Sequence, residues 1–262
     1  MRIALVGAGA MGEALLAGWL AAGWSTEDVV IVEPSQQRAD DITARHGVRA
    51  VDLEEASGAD VVVLAVKPHQ VESVLGSISN RLGPESVVVS IAAGVPIRQL
   101  EELLPDGAAV IRVMPNTPAL VGQGMAGVVR GTAATDGHLA TVQGLMDAVG
   151  RSTVIEEKYL DALTSVSGSG PAYLFYVADA MIEAGVHQGL TRAEATELTV
   201  QTFVGSAAML ATGRAAATLR EQVTSPAGTT AAALRVLDER GVRAAFLAAM
   251  EACVTRSREM AN

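Results

Sequence analysis

Five short, mainly apolar runs in the first half of the chain restrict its possible folds more than any other feature. They are rich in β-branched residues and lie at Ile3–Val6, Val29–Val32, Val61–Val66, Val87–Ile91 and Val110–Val113. Strands with one face open to water alternate polar and apolar residues, whereas strands buried on both faces are apolar almost throughout. Segments of helical character separate the runs, at Ala10–Ala22, Val71–Leu82 and Ile97–Leu104. The pattern therefore predicts an α/β fold with a doubly wound parallel sheet.

The second half of the chain has a different composition. Val154–Ile155 is the last strand-like pair, and the residues after it are rich in Ala, Leu, Glu and Arg, with glycines and prolines between the segments. This composition is typical of helices and their turns. We predict a sheet domain at residues 1–155 and an all-helical domain of four or five helices at residues 156–262.

A glycine-rich motif, Gly7-Ala8-Gly9-Ala10-Met11-Gly12, follows the first apolar run and opens the first helical segment. In a dinucleotide-binding turn, the first glycine makes the tight turn, the second lets the backbone approach a pyrophosphate, and the third brings the helix close to the strand. The free N–H groups of the helix then face the phosphates. The spacing alone is weakly specific in a chain with 26 glycines. The strand–turn–helix context nevertheless favours a Rossmann-type dinucleotide site over a glycine turn that binds no ligand.

The residues after the second apolar run leave the choice between NADH and NADPH open. Glu33 follows Gly12 by 21 residues, and an acid at this place binds the ribose hydroxyls and repels a 2′-phosphate. Ser35 and Arg38 lie just downstream, and an arginine can neutralise such a phosphate. Arg38 could equally be a solvated charge on a helix.

The loops after the later runs are expected to share one edge of the sheet with the glycine motif, because ligands bind outside the carboxyl ends of parallel strands. These loops are 65–69, 92–94 and 115–118, and the small residues at 92–94 would let a flat nicotinamide ring approach. Lys67 is either a phosphate or ribose contact or a charge at a strand end. His69 has no partner carboxylate and is read as a helix-start residue rather than a general base.

Two further segments in the second half carry small and hydroxyl residues. Residues 165–173 would form either a kinked helix or a small-residue wall of an active site, and the two interpretations are compatible. Residues 223–231 combine hydroxyls, Pro and Gly at a helix start, where free N–H groups would receive a small carboxylate. An ordinary capped helix needs only one hydroxyl, so the surplus favours a substrate site.

Charge and cysteine content exclude several classes of function. The chain has 19 basic and 29 acidic residues, a net charge of −10, which argues against nucleic acid or an anionic membrane as partner. Its single cysteine, Cys253, gives no internal disulfide and no metal cluster. We find neither a signal peptide nor an apolar stretch approaching the roughly 20 residues of a membrane span. We therefore expect a cytoplasmic protein without a metal site.

Six motifs together resemble the pyrroline-5-carboxylate reductase family over nearly the whole chain. In chain order they are Gly7–Gly12, Val66-Lys67-Pro68-His69, Ala92-Ala93-Gly94, Asn116-Thr117-Pro118, Ser167-Gly168-Ser169-Gly170-Pro171-Ala172-Tyr173 and Ser225-Pro226-Ala227-Gly228-Thr229-Thr230. The last two are much more specific than the glycine turn. The resemblance implies a Rossmann domain followed by a helical dimerisation domain that interlocks with a second subunit. It also implies reduction of L-1-pyrroline-5-carboxylate to L-proline with NADPH or NADH, the last step of proline synthesis.

The resemblance also implies individual site residues. The cofactor contacts, including those predicted from the loops, are Gly7, Ala8, Gly9, Ala10, Met11, Gly12, Glu33, Ser35, Arg38, Asp52, Ala65, Val66, Lys67, Pro68, Ala92, Ala93, Gly94 and Asn116. The substrate contacts are Ser169, Gly228, Thr229 and Thr230. Thr230 is also the candidate proton donor or orienting group. Glu33 and Asp52 depart from the family pattern, since many members have a residue that tolerates the 2′-phosphate at the first position and an Asn at the second.

Two other functions are compatible with parts of this pattern. A 3-hydroxyacid dehydrogenase has the same architecture, but it uses a lysine early in its second domain, and residues 165–184 contain none. A protein that senses NAD(P)H without turnover would keep the glycine motif and have no use for the hydroxyls at 224–230. We expect a small-molecule substrate and a homodimer or a larger assembly of dimers.

Overall fold

A computed structural model describes residues 1–260 of the chain. These residues form two compact units, one of Met1–Ser169 together with residues 253–260, and one of residues 170–252. The domain boundary predicted at residue 155 falls just after the last strand, 14 residues before the first unit's main segment ends. The intervening residues pack with the sheet unit, because Leu160 is buried against Ile97 and Val129.

The first unit is built on one eight-stranded sheet with the spatial order β3-β2-β1-β4-β5-β6-β7-β8. Its strands are β1 (Ile3–Val6), β2 (Val29–Val32), β3 (Arg49–Ala50), β4 (Val61–Leu64), β5 (Val87–Ser90), β6 (Ala109–Met114), β7 (Gly124–Arg130) and β8 (Gly150–Val154). Its helices are α1 (Ala10–Ala21), α2 (Gln36–His46), α3 (Leu53–Ser57), α4 (Val71–Ile78), α5 (Ile97–Glu102), α6 (Asp136–Asp147) and α7 (Leu160–Leu163). Every strand pair is parallel except β6 with β7. The predicted α/β fold is confirmed.

Burial on both faces explains why the strands are apolar throughout. In β1, Ile3 and Leu5 pack into the core on one face of the sheet, while Ala4 and Val6 pack into the core on the other. All four are buried. Because neighbouring side chains of a strand point to opposite faces, a polar residue at any of these positions would enter one core or the other. The sheet is therefore fixed in register by its two covered faces.

Two strands were not predicted from the sequence. The short β3 has both residues exposed, so no apolar run identifies it. The antiparallel β7 begins Gly-Met-Ala-Gly, which has little β-branched character. Two predicted strands are also too long: the run at Val61–Val66 leaves the sheet after Leu64, and the run at Val87–Ile91 leaves it after Ser90. Ala65 still donates its N–H to Val6 O at 2.8 Å, and the chain then turns into a 3₁₀ turn at Pro68–Gln70.

The second unit is helical, as predicted. It contains α8 (Gly170–His187), α9 (Arg192–Ala211), α10 (Ala216–Gln222), α11 (Thr229–Glu239) and the first part of α12 (Val242–Met260), whose residues 253–260 belong to the first unit. Few side chains are buried in this unit, and the buried hydrophobic ones are Ala195 and Leu219. Among the described residues, every helix is too short or too polar to cross a bilayer.

Candidate functional site

The predicted cofactor residues of the first unit meet at one edge of the sheet. β1, β2, β4, β5 and β6 are parallel, so their carboxyl ends lie side by side. The glycine motif follows β1, Glu33 follows β2, Ala65–Pro68 follows β4, Ala92–Gly94 follows β5 and Asn116 follows β6. This is the edge at which doubly wound sheets bind their ligands.

The structure explains each of the three glycines of the motif in a different way. Gly7 has φ +95°, a left-handed conformation, and a Cβ there would lie 2.6 Å from Ala65 O. A Cβ at Gly12 would collide with the carbonyl of Gly7. Gly9 is different, because a Cβ there would meet no protein atom within 4 Å. Gly7 and Gly12 are thus needed for the turn itself, whereas Gly9 leaves open space in front of it.

The start of α1 offers unsatisfied backbone donors beside that open space. Gly9 is the N-cap residue, and no side chain caps the helix. The first-turn N–H groups of a helix have no intrahelical partner, and they carry the positive end of the helix dipole. The turn can therefore receive an anionic group such as a pyrophosphate.

The Glu33 carboxylate joins the end of β2 to the glycine motif. Its Oε2 accepts the Ala8 N–H and its Oε1 accepts the Ser35 N–H, both at 3.0 Å. Each oxygen keeps a further lone pair. Ser35 itself caps α2, accepting the Arg38 N–H at 3.4 Å.

The side chain of Arg38 also contacts the glycine motif, by a hydrogen bond to the backbone of Ala8. Its Nε donates to Ala8 O at 2.9 Å, and its terminal nitrogen forms an ion pair with Glu13 Oε2 at 2.6 Å. The same carboxylate binds Arg45 and, at 3.1 Å, His46. Burial raises the pKa of the Glu13 carboxyl, but hydrogen bonds from His46, Arg38 and Arg45 and the charge of Arg38 outweigh it, so the pKa lies below 4.5.

Glu13→Gln should change how the stability of the protein depends on pH in acid. The pKa of Glu13 is lower in the folded protein than in the unfolded chain. Its ion pairs therefore stabilise the fold fully when the pH is above 4.5, the ordinary pKa of a glutamate. That contribution is lost as the pH falls through the lowered folded-state pKa. We expect the urea midpoints of wild type and variant to differ at pH 7 and to converge below pH 4.5. A difference independent of pH would contradict this prediction.

A cavity of about 340 Å³ lies beside the glycine motif and brings four predicted residues together. It is lined by Val6, Gly7, Val32, Glu33, Pro34, Val51, Asp52, Leu53, Val66, Gln70 and Val74. Gly7, Glu33, Asp52 and Val66 were predicted from the sequence. The apolar side chains of Val51, Leu53 and Val74 were not, because they belong to no motif. Leu53 lies in α3, Val74 lies in α4 and Val51 lies between β3 and α3. The side chain of Asp52 caps α3, accepting the Glu55 N–H at 2.8 Å.

Lys67 and Asn116 differ in how far their side chains are available. Lys67 is exposed and begins the Pro68–Gln70 turn, in which its N–H donates to Gln70 Oε1 at 3.1 Å. Asn116 is 8% exposed, its amide donates to Ser167 O at 3.0 Å, and its carbonyl accepts the Met125 N–H at 2.8 Å. Asn116 therefore fixes the loop after β6, and both the amide nitrogen and the carbonyl oxygen of its side chain are hydrogen-bonded within the protein.

A second cavity, of about 290 Å³, joins the loop after β5 to Ser169. Its lining residues are Ala93, Gly94, Thr164, Ser169, Cys253, Arg256, Ser257 and Met260. Gly94 has φ +77°, and a Cβ there would lie 3.1 Å from Met260 O. Ser169 Oγ lies 3.3 Å from Cys253 Sγ. A π-helical turn at Thr164–Gly168 leads to Ser169, which supports the kinked-helix interpretation of this segment.

The hydroxyl-rich segment of the second unit forms a turn and an uncapped helix start. The Gly228 N–H donates to Ser225 O at 3.0 Å, and Ala227 in this turn has φ +57°, a strained value for a residue with a side chain. Gly228 is the N-cap of α11, and no side chain caps the helix. The N–H groups of Thr229 and Thr230 begin the helix, so they are available to an anion.

Two family models each match a part of the chain. One, described as "Pyrroline-5-carboxylate reductase dimerisation", matches residues 157–260. The other, "NADP oxidoreductase coenzyme F420-dependent", matches residues 2–94. The pyrroline-5-carboxylate reductase of Corynebacterium melassecola is 44% identical over 264 residues, covering 98% of this chain and 98% of the relative. The one from Mycobacterium tuberculosis is 42% identical over 284 residues, covering 99% of this chain and 96% of the relative.

The solved structures that this chain resembles include members of the same family. A pyrroline-5-carboxylate reductase from Coxiella burnetii has a TM-score of 0.94 at 34% identity, covering 100% of this chain and 98% of its own. The pyrroline carboxylate reductase of Plasmodium falciparum, solved with NADP bound, has a TM-score of 0.89 at 30% identity with the same coverage.

Proposed function

This chain belongs to the pyrroline-5-carboxylate reductase family, and from that premise we propose which of its residues carry out the reaction. The chain is an NAD(P)H-dependent oxidoreductase that reduces L-1-pyrroline-5-carboxylate to L-proline, the last step of proline biosynthesis. The observation that carries the residue assignments is a pair of uncapped helix starts, at α1 and at α11. Each can hold one of the anionic groups that this reaction needs to bind.

The described residues of the sheet edge fit a dinucleotide. The open space at Gly9 and the donors of α1 suit the pyrophosphate, and the 340 Å³ cavity beside Glu33 suits the adenosine. When bound, the reduced nicotinamide supplies the hydride. The loops Ala65–Pro68 and Ala92–Gly94 would orient the rest of the cofactor, and the well-packed Asn116 would keep the loop after β6 in place.

The substrate is a small cyclic imine that carries a carboxylate. Its protonated form is already electrophilic, so correct positioning can supply most of the acceleration. We assign the carboxylate to the N–H groups that follow Gly228, because a helix start favours negative charge. Ser169 is the further predicted substrate contact.

Thr230 is the candidate group at the imine nitrogen. Its hydroxyl Oγ1 would donate or orient the proton at that atom as the neighbouring carbon is reduced. The alternative role, capping of α11, is not supported, since the N-cap residue is Gly228 and no side chain caps the helix. A reaction of this kind needs no His–Asp pair and no activated cysteine.

A single assay tests the proposed function. Racemic pyrroline-5-carboxylate is added to the protein with NADH or NADPH, and the absorbance of the reduced cofactor is followed. Loss of absorbance that depends on substrate is expected. A 3-hydroxyacid dehydrogenase would oxidise hydroxy acids with the oxidised cofactor instead, and a sensing protein would bind the cofactor without consuming it.

The segment that matches the family's dimerisation model, residues 157–260, includes the whole second unit and supports oligomerisation. We propose a homodimer or a larger assembly of dimers, with a cytoplasmic location and no nucleic-acid partner. The support for a dimer is the exposed apolar surface of this unit, where Val204, Met209 and Leu210 are 58%, 44% and 49% exposed. Phe203 and Ala207 lie on the same helix.

Sedimentation should therefore give a species of at least twice the 26.9 kDa chain mass at micromolar concentration. Replacing Val204 and Leu210 by Lys should shift the protein toward monomer, because each charge would be buried at the interface. A stable wild-type monomer under these conditions would contradict the prediction.

A further inference from the structure

We propose that this chain selects NADH over NADPH, and that Glu13, which is not among the cofactor contacts, contributes to the selection by holding Arg38 away from the ribose. The proposal rests on the assigned dinucleotide site of the sheet edge. It concerns the additional phosphate that distinguishes NADPH from NADH. Three features of the described residues support it.

The first feature is the charge of the cavity beside the glycine motif. Its lining includes two acids, Glu33 and Asp52, and among the described lining residues none is basic. A 2′-phosphate placed here would face two carboxylates without a cation. The two hydroxyls of an unmodified ribose would instead find acceptors.

The second feature is the fixed orientation of Glu33. Its two oxygens accept the N–H groups of Ala8 and Ser35, so the carboxylate is held between the glycine motif and the start of α2. Each oxygen keeps a lone pair that can accept a ribose hydroxyl. A carboxylate has no proton to donate to a phosphate, and its negative charge repels one. Glu33 therefore favours the ribose of NADH.

The third feature is the engagement of Arg38, the first basic residue that follows Glu33 along the chain. Its Nε donates to Ala8 O at 2.9 Å, and a terminal nitrogen pairs with Glu13 at 2.6 Å. Arg38 does not line the cavity. Glu13 matches its charge and fixes its direction, so that the guanidinium stabilises the glycine motif instead of receiving a phosphate. Glu13 acts here as a positioning residue.

The groups around Glu13 hold its carboxylate in place, so that it can fix the position of Arg38. The carboxylate is bound by Arg38, Arg45 and His46, and its side chain is 18% exposed. Arg45 is more exposed, at 57%, and it reaches Glu13 from the last turn of α2. Removing the negative charge of Glu13 would leave Arg38 with an unmatched charge. Arg38 would then be able to turn toward a 2′-phosphate.

The test is a fluorescence titration of the protein with each reduced cofactor in the absence of substrate. We expect wild type to bind NADH about tenfold more tightly than NADPH or better, which corresponds to one close charge interaction. Glu13→Gln should raise the affinity for NADPH about three- to tenfold and leave that for NADH within about twofold. Glu33→Gln should also reduce the preference, since it removes the nearest negative charge.

A matched control separates this mechanism from a general charge effect. Glu55 is likewise bound by two arginines, but these are Arg2 and Arg49 and not Arg38. Glu55→Gln changes the net charge by the same amount and should leave the ratio of the two affinities unchanged. In an Arg38→Gln background, Glu13→Gln should no longer improve NADPH binding, because the cation that it releases is absent.

Three outcomes would overturn the proposal. Wild type could bind NADPH as tightly as NADH, Glu13→Gln could change both affinities equally, or the gain could persist without Arg38. Melting curves check that each variant is folded, and Arg38→Gln alone reports on the same pair if Glu13→Gln is unstable: NADPH binding should then stay weak. Because the titration contains no substrate, a failure to reduce pyrroline-5-carboxylate would contradict the proposed function without affecting this result.

Discussion

Gly9→Asp is expected to lower the affinity for NADH or NADPH by about 100-fold or more, close to 2.7 kcal/mol, while the protein stays as stable as wild type. Gly9 has φ −65° and ψ −173°, which any residue can adopt, and a Cβ there meets no protein atom within 4 Å. Asp is also a favoured N-cap residue, and its carboxylate would accept the free N–H groups of α1. The phosphates would lose those donors and face a negative charge.

Gly9→Asn is the matched control for this prediction. Asn caps a helix about as well as Asp and has nearly the same size, but it carries no charge. Gly9→Asn should lower the cofactor affinity less than Gly9→Asp does. The difference between the two variants measures the repulsion between the Asp carboxylate and the phosphates. Isothermal titration with each cofactor and a melting curve are sufficient to measure both quantities. If Gly9→Asp binds cofactor as wild type does, the pyrophosphate does not lie at the start of α1.

Thr230→Ala is expected to lower kcat about 10- to 100-fold with little change in cofactor affinity. General acid catalysis contributes about 10²- to 10⁴-fold, and a protonated imine needs less help than most substrates. The melting temperature should stay the same or rise slightly, since Gly228 and not Thr230 is the N-cap of α11 and Ala favours a helix more than Thr does.

Thr230→Ser separates the hydroxyl from the methyl group of this side chain. It should recover much of the lost rate if Oγ1 acts at the imine nitrogen, and little if the methyl packs against the substrate. The matched variant Thr229→Ala removes the preceding hydroxyl of the same helix start and should lower kcat less. Steady-state kinetics at saturating cofactor measure the effects. An unchanged kcat and KM in Thr230→Ala would show that Thr230 does no chemistry.

The glycine motif shows how far sequence reasoning extends at the cofactor edge. The roles of Gly7 and Gly12 follow from the motif because each depends on local backbone geometry. Gly7 has a positive φ, and a Cβ at either position would collide with the backbone. The hydrogen bonds that hold the same turn do not follow from the motif. Glu33 and Arg38 both bind Ala8, across 25 and 30 residues of chain, and only the paired strands bring them there.

In the hydroxyl-rich segment of the second unit, the sequence predicts the helix but not how the helix begins. Its composition predicts a helix start, and α11 begins within it. None of its hydroxyls caps this helix, because Gly228 is the N-cap residue and no side chain caps the helix. The residue at which a helix begins depends on the backbone conformation of the turn before it, which composition does not determine.

The sequence by itself determined the class of this protein. Apolar runs with no alternation require a sheet covered on both faces, and the motifs in their order identify the family. Each run and each motif consists of residues that are close together in the chain, so both can be recognised without the fold. The tertiary structure alone decided the strands β3 and β7, the apolar lining of the cofactor cavity and the pairing of Arg38 with Glu13. Those features depend on contacts between residues far apart in sequence, whose energies arise only when the sheet has assembled and its loops share one edge.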